Sequence, residues 1–304
     1  MEIDNILVIG SGLMGQQIAL HHALHGHQVT QYGRREAGLE DCKAAQQAAK
    51  DSVQSVYTDL TDADFEQALA RISYTTDFEA ACSNADLVSE SVTEDLELKQ
   101  KIFADLERFC PAHAILTTNT STMPPSLIAG NLKRPEQFLA LHYSSPVWVR
   151  PMAEIMRLPN TAQSTIEQVV EFAQANRLLP LRLEKEHPGY ILNSLLAPMV
   201  YSALEMLAKG VATHQDIDRT WMLNFPAMGL GPCGMLDSMG YNSLLAVGKL
   251  RAAAEPDNAN HQLIVDYIQE NFIYKGLMGI ATGQGLYSYP DPEFLEPGFV
   301  QDQQ

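Results

Sequence analysis

The run Ile6-Leu-Val-Ile-Gly-Ser-Gly-Leu-Met-Gly15 constrains this chain more than any other stretch. Buried-strand residues break into three glycines spaced G-x-G-x-x-G, and helix-forming Gln16-Gln-Ile-Ala-Leu20 follows. The pattern is strand, tight turn, helix start. Gly10 lets the chain turn sharply, Gly12 lets backbone N–H groups approach a pyrophosphate, and Gly15 lets the new helix lie close on its strand. Leu13 and Met14 complete this cofactor-binding turn. A second strand, Gln28-Val-Thr-Gln-Tyr32, follows within the ~30 residues of a dinucleotide-binding βαβ unit, so a dinucleotide is expected here.

At 304 residues and 46% hydrophobic content the chain can fill two cores. Its formal charge of −17 argues against nucleic acid or an anionic membrane as partner, because phosphate backbones require Lys/Arg patches. The opening residues Met1–Asn5 carry neither a positive n-region nor a cleavable apolar segment, which makes the cytoplasm the expected compartment. Cys42, Cys82, Cys110 and Cys233 follow no metal-ligand spacing and read as free thiols; no metal site is expected. His21, His22, His25 and His27 read as partly exposed helix histidines, since no carboxylate or cysteine stands near them in sequence.

Strands alternate with helices along the first part of the chain, which predicts an α/β fold with a Rossmann-type, doubly wound, mostly parallel sheet. A helical pair is inserted at 37–71, after the second strand. Charge, proline and glycine gather at Lys185-Glu-His-Pro-Gly189, dividing a dinucleotide-binding domain (1–185) from a second domain (186–304). The second domain is expected to be all-helical, ending in an irregular tail with Gly283, Gly285, Pro290, Pro292 and Pro297.

An acid at the end of the second strand normally selects NAD by binding the adenine ribose hydroxyls. Here Tyr32 is followed by Gly33-Arg34-Arg35, with Glu36 the one acid nearby. Glycine leaves room for a 2′-phosphate and the guanidiniums offer it charge-assisted bonds, so NADP(H) is favoured and NAD(H) possible. The chemistry should sit at the carboxyl ends of the strands. His142 is the one histidine at such an end, and Glu154 on the next strand could fix its tautomer.

Taken together, Gly10-Ser-Gly-Leu-Met-Gly15, Glu90-Ser-Val-Thr-Glu94 with Lys99, Thr118-Asn-Thr-Ser121, His142-x-x-x-Pro146 with Ala153-Glu154, and Pro188-Gly-Tyr-Ile-Leu-Asn193 resemble the short-chain L-3-hydroxyacyl-CoA dehydrogenases over nearly the whole chain. Gly210-Val-Ala with Ile217-Asp218, and Gly229-x-Gly-Pro232 running into Leu236-Asp237, extend the resemblance. It implies His142 as general base with Glu154 its partner, and Ser121 and Asn193 bonded to the substrate oxygen. Glu94, Lys99 and Ser121 would line the nicotinamide half of the cofactor. The helical domain would be a dimerisation module, making a homodimer through the C-terminal helices.

Three positions depart from the family pattern. Where the family writes His-Phe-Phe-Asn-Pro, this chain has His142-Tyr-Ser-Ser145-Pro, placing a hydroxyl near the nicotinamide. The family's acid falls on Gly33. The insertion that carries the family's lysines for the CoA phosphates keeps Lys43 and Lys50 alone, accompanied by Asp41 and Asp51. The expected activity is therefore hydride transfer at C3 of a 3-hydroxyacyl or 3-oxoacyl substrate. That substrate is either CoA-linked or a free small 3-hydroxy acid or related carbonyl, as in the gulonate and carnitine dehydrogenases that resemble the family. An imine-reductase-like plan would need a lysine between Gly189 and Ala208, where none occurs. A non-enzymatic, crystallin-like role is the remaining alternative.

Overall fold

A computed structural model of the chain describes residues 3–130, 132–296 and 298–300. Met1, Glu2 and Pro297, used in the expectations about the leader and the tail, lie outside the described residues. The chain forms two compact units, Met1–Asn193 and Ser194–Gln304.

The first unit runs β1 (Asn5–Ile9), α1 (Leu13–Leu24), β2 (Gln28–Tyr32), α2 (Glu36–Ala48), α3 (Lys50–Val56), α4 (Asp62–Ala70), β3 (Ile72–Thr75), α5 (Phe78–Cys82), β4 (Leu87–Glu90) and α6 (Leu96–Phe109). It continues through β5 (Ile115–Thr118), α7 (Pro125–Ala129), β6 (Phe138–Tyr143), β7 (Met152–Arg157), α8 (Gln163–Ala175) and β8 (Leu179–Leu183) to the start of α9 (Leu192–Ala208). One eight-stranded sheet results, in the order β3-β2-β1-β4-β5-β6-β7-β8. Strand order reverses between β1 and β4, the crevice where a doubly wound sheet takes its ligand. Every pairing is parallel except β6 with β7. The period of two in β1 serves both faces: Ile6 and Val8 join the core under α1 and α8, while Leu7 and Ile9 join the core under α5 and α6.

Two expectations need correction. The inserted helical pair is three helices, because at Ala49 the backbone N–H turns to Gln46 O, three residues back, and separates α2 from α3. The histidines of α1 are not all partly exposed: His21 and His22 are both 0% exposed. Distant groups bond both nitrogens of His22 and one of His21. His22 bonds Asn176 Oδ1 at 2.8 Å and the Tyr143 hydroxyl at 2.9 Å, and His21 lies 2.9 Å from Asn176 O. Burial, opposed by the Asn176 bond, pushes His22 down to about 3. Among the described residues no group of three or more His, Cys, Asp or Glu could hold a metal ion, and no helix is long and apolar enough to cross a membrane.

The second unit holds the rest of α9 with α10 (His214–Asn224), α11 (Pro232–Met239), α12 (Tyr241–Ala254) and α13 (Ala259–Asn271). Its core gathers Val200, Leu204, Leu236, Leu244, Ile264 and Ile268. Two buried carboxylates organise it. Asp218 accepts from the N–H groups of Cys233 and Gly234 and the Tyr287 hydroxyl. Asp237 accepts from the Tyr241 hydroxyl and the N–H groups of Leu286 and Tyr287, which anchors the irregular tail.

Candidate active site

The antiparallel pairing of β6 with β7 sets His142 directly opposite Glu154. Facing residues of such a pair have Cβ atoms about 5 Å apart, within reach of an imidazole and a carboxylate. His142 Nδ1 lies 2.8 Å from Glu154 Oε2, both groups buried. Burial works to raise the Glu154 carboxyl, but bonds from His142 and from the N–H groups of Leu192 and Ile191 outweigh it and hold the carboxyl below its usual range. An ionised carboxylate only accepts hydrogen bonds, so Nδ1 is the donor of this pair and Nε2 is the nitrogen turned toward Ser121. Nε2 is 3.1 Å from Ser121 Oγ.

Ser121 is held in turn. Its N–H donates to Glu94 Oε1 at 2.7 Å, and the Thr120 hydroxyl donates to Glu94 Oε2, also at 2.7 Å. The N–H of Tyr143 donates to Asn119 Oδ1 at 2.9 Å, tying the β5 loop to the end of β6. Asn193 Nδ2 reaches Ser121 O at 3.5 Å, so these side chains meet in one place within the first unit. Beneath them Lys99, 1% exposed, pairs with Glu90 at 2.7 Å and stands 3.6 Å from Glu94. Glu90 also accepts from the Thr118 hydroxyl and the N–H of Val92. Lys99 is thus packed under the loop rather than laid along an open surface.

The glycine turn forms a cradle. Gly10 has φ +113, which favours glycine, and a Cβ there would meet Ser91 O at 2.4 Å. A Cβ on Gly15 would stand 1.9 Å from Gly10 O, whereas one on Gly12 would meet nothing within 4 Å. No side chain caps the first turn of α1. Its N–H groups and positive helix end therefore face open space, as a pyrophosphate requires. The adjoining cleft, about 800 Å³, is lined among others by Gly12, Arg34, Phe78, Val92 and Ile102. Arg34 lines it; Arg35 is exposed beside it, and Gly33 packs against Leu39, which a Cβ would meet at 2.8 Å. Leu13 is exposed at the turn, and Met14 packs partly against the core. Ser145 is half-buried, and its carbonyl accepts from Arg150. The dinucleotide fits this site.

Sequence reasoning assigned no role to Tyr190, Lys101 or Arg108. Tyr190 stacks on His142, and Lys101 and Arg108, two turns apart on α6, line the cleft. Their seven-residue spacing on one helix face was the available signal. The two insertion lysines are engaged: Lys50 pairs with Asp62 at 3.0 Å, and Lys43 lies over the Tyr74 ring at 5.9 Å.

A crevice at the point of strand reversal, a capless glycine turn and a buried His–Glu dyad at the next strand ends define a nicotinamide-dependent oxidoreductase. The chain belongs to the 3-hydroxyacyl-CoA dehydrogenase family: residues 5–186 match its NAD binding domain and residues 189–289 its C-terminal domain. It is 31% identical to the mitochondrial hydroxyacyl-coenzyme A dehydrogenase of Rattus norvegicus, covering 94% of this chain and 91% of that protein. It is 30% identical to a probable 3-hydroxybutyryl-CoA dehydrogenase of Bacillus subtilis, covering 96% and 99%. Among solved structures, a diketoreductase described as acting on dicarbonyl compounds superposes with a TM-score of 0.86 at 36% identity, over 95% of this chain and all of that one.

Proposed function

We propose that this chain moves a hydride between NADP(H) and C3 of a 3-hydroxyacyl or 3-oxoacyl substrate, with His142 as the general acid/base. The observation that carries the reading is the buried His142–Glu154 pair, Nδ1 to Oε2 at 2.8 Å, with the far nitrogen Nε2 3.1 Å from Ser121 Oγ. A bound nicotinamide supplies the hydride acceptor in oxidation and the donor in reduction. In oxidation His142 Nε2 takes the proton of the C3 hydroxyl while Glu154 steadies the imidazolium. In reduction the same nitrogen returns the proton, and Ser121 Oγ and Asn193 Nδ2 polarise the carbonyl by hydrogen bonding. Glu94, with Lys99 behind it, and Ser145 shape the nicotinamide end. Gly10, Gly12, Leu13, Met14 and Gly15 hold the pyrophosphate, and Gly33, Arg34 and Arg35 receive the 2′-phosphate.

A CoA thioester is the first substrate reading, following the family. A second reading, a free short 3-oxo acid or related dicarbonyl, is favoured by the engaged Lys43 and Lys50, which leave the insertion little free positive charge for CoA phosphates. NADH and NADPH crossed with acetoacetyl-CoA and free short 3-oxo acids at equal concentration test all of this. A higher kcat/KM with NADPH is expected; a higher value with NADH overturns the cofactor preference. Comparable rates on the free acids overturn the thioester reading, and turnover confined to acetoacetyl-CoA overturns the second. The proposal also includes a dinucleotide-binding domain at 1–185, a substrate and dimerisation domain at 186–304, a homodimer and a cytoplasmic location.

A further inference from the structure

We infer that Tyr190 is a positioning residue for the base, its ring clamping one face of His142 and favouring the imidazolium over the neutral ring. The two ring centroids are 4.6 Å apart with planes 30° from parallel, and Tyr190 is 0% exposed. The bonds from Glu154 and Ser121 act at the two imidazole nitrogens and resist tilting of the ring only through their angles. A stacked aromatic face resists tilting directly. It also presents the negative side of its quadrupole to a ring that becomes cationic once Nε2 takes a proton.

The backbone supports this assignment. Tyr190 has φ +54, in the left-handed region where a bulky side chain is strained and where glycine or asparagine sits more easily. The conformation is held on both sides: the Tyr190 N–H donates to His187 O at 3.1 Å, and the next two N–H groups, of Ile191 and Leu192, donate to Glu154 Oε1 at 2.8 and 2.9 Å. One carboxylate therefore orients the imidazole with one oxygen and, with the other, the chain that lays Tyr190 on it. The ring also closes a small apolar cluster with Ala140, Met156 and Leu183. A test must separate that packing from an effect on the base.

The inference rests on the reading of His142 as the base, so H142A is assayed alongside. Y190L and Y190M keep apolar volume and remove the aromatic face; Y190F keeps the face. In the oxidative direction kcat of the aliphatic variants is expected to fall about tenfold, with KM and NADPH affinity little changed. The acidic limb of their kcat/KM–pH profile should move to lower pH, because the imidazolium has lost a stabilising contact. Y190F should recover most of the lost kcat and return the limb. The inference is overturned by aliphatic variants with the original kcat and limb, or by Y190F losing as much as Y190L. Parallel loss of NADPH binding in both aliphatic variants overturns it too, marking Tyr190 as purely structural. If H142A retains turnover the base reading itself fails; if H142A loses turnover while Y190L does not, this inference alone fails.

Discussion

Glu154 serves two partners at once, the His142 imidazole and the backbone that opens α9. Replacing it with glutamine keeps the shape but removes the charge that stabilises the imidazolium and allows the wrong tautomer. E154Q should lose about 100-fold or more in kcat with cofactor affinity retained, measured by steady-state kinetics and fluorescence quenching. H142A should lose at least ~100-fold on the same terms. The folded Glu154 carboxyl lies below its unfolded value of 4.5, so its contribution to stability is complete above that pH and disappears as the pH falls through the folded value. The gap in thermal midpoint between the native chain and E154Q should accordingly narrow from about pH 5 downward. Arg34 makes a separate prediction. R34A should reduce kcat/KM for NADPH by about tenfold or more while that for NADH changes little; equal losses would deny it a 2′-phosphate contact. His142 was legible as the one histidine at a strand end. Glu154 was legible only as a candidate, the acid on the next strand, because the antiparallel register that sets it opposite His142 appears only in the folded sheet. Lys99 was not legible as a buried group, because nothing local says that a lysine on α6 will turn down to a strand-end glutamate nine residues earlier.

Helix α1 is fixed to the sheet at both ends by contacts that tolerate little change. At its start, G15A would set a Cβ 1.9 Å from Gly10 O, forcing helix and strand apart where the pyrophosphate should bind. The expected cost is about 1–3 kcal/mol with loss of NADPH binding; a variant that binds NADPH normally would refute the cradle. At its other end His22 is neutral in the folded state, pushed down to about 3, whereas the unfolded imidazole takes a proton near 6.5. Unfolding therefore takes up a proton between those values, and stability falls as the pH falls through that window, by up to about 1.4 kcal/mol per pH unit. H22Q should flatten the acid side of the midpoint–pH curve; an unchanged slope would place the titration elsewhere. The element pattern itself was largely legible, since strands of four to six residues alternating with helices have few other solutions. The inward turn of His21 and His22 was not. Their partners Asn176 and Tyr143 stand 155, 154 and 121 residues away in sequence, so only the folded sheet reveals the groups that bond both His22 nitrogens and His21 Nε2 inside.

Over the whole molecule, a formal charge of −17 sets a condition on the proposed homodimer, because two such copies repel while their C-terminal helices attract. The second unit leaves Leu195, Leu223, Phe225, Met228 and Leu250 exposed, and a cavity of about 520 Å³ lies among Met199, Met206, Trp221 and Phe225. Side chains of this size on one helical unit are what a second copy would cover. Light scattering on the eluting protein should give twice the chain mass at micromolar concentration, and a monomer there would refute the homodimer. F225E adds a charge beside the cavity and should shift the equilibrium to monomer while leaving the His142 dyad, which lies in the other unit, intact. Screening separates the two forces. At about 1 M salt the Debye length shrinks to roughly 3 Å, repulsion between the acidic surfaces is largely lost, and apolar burial is undiminished. Dimer dissociation should therefore weaken as salt rises, and an interface that loosened instead would be held by ion pairs rather than by these apolar helices.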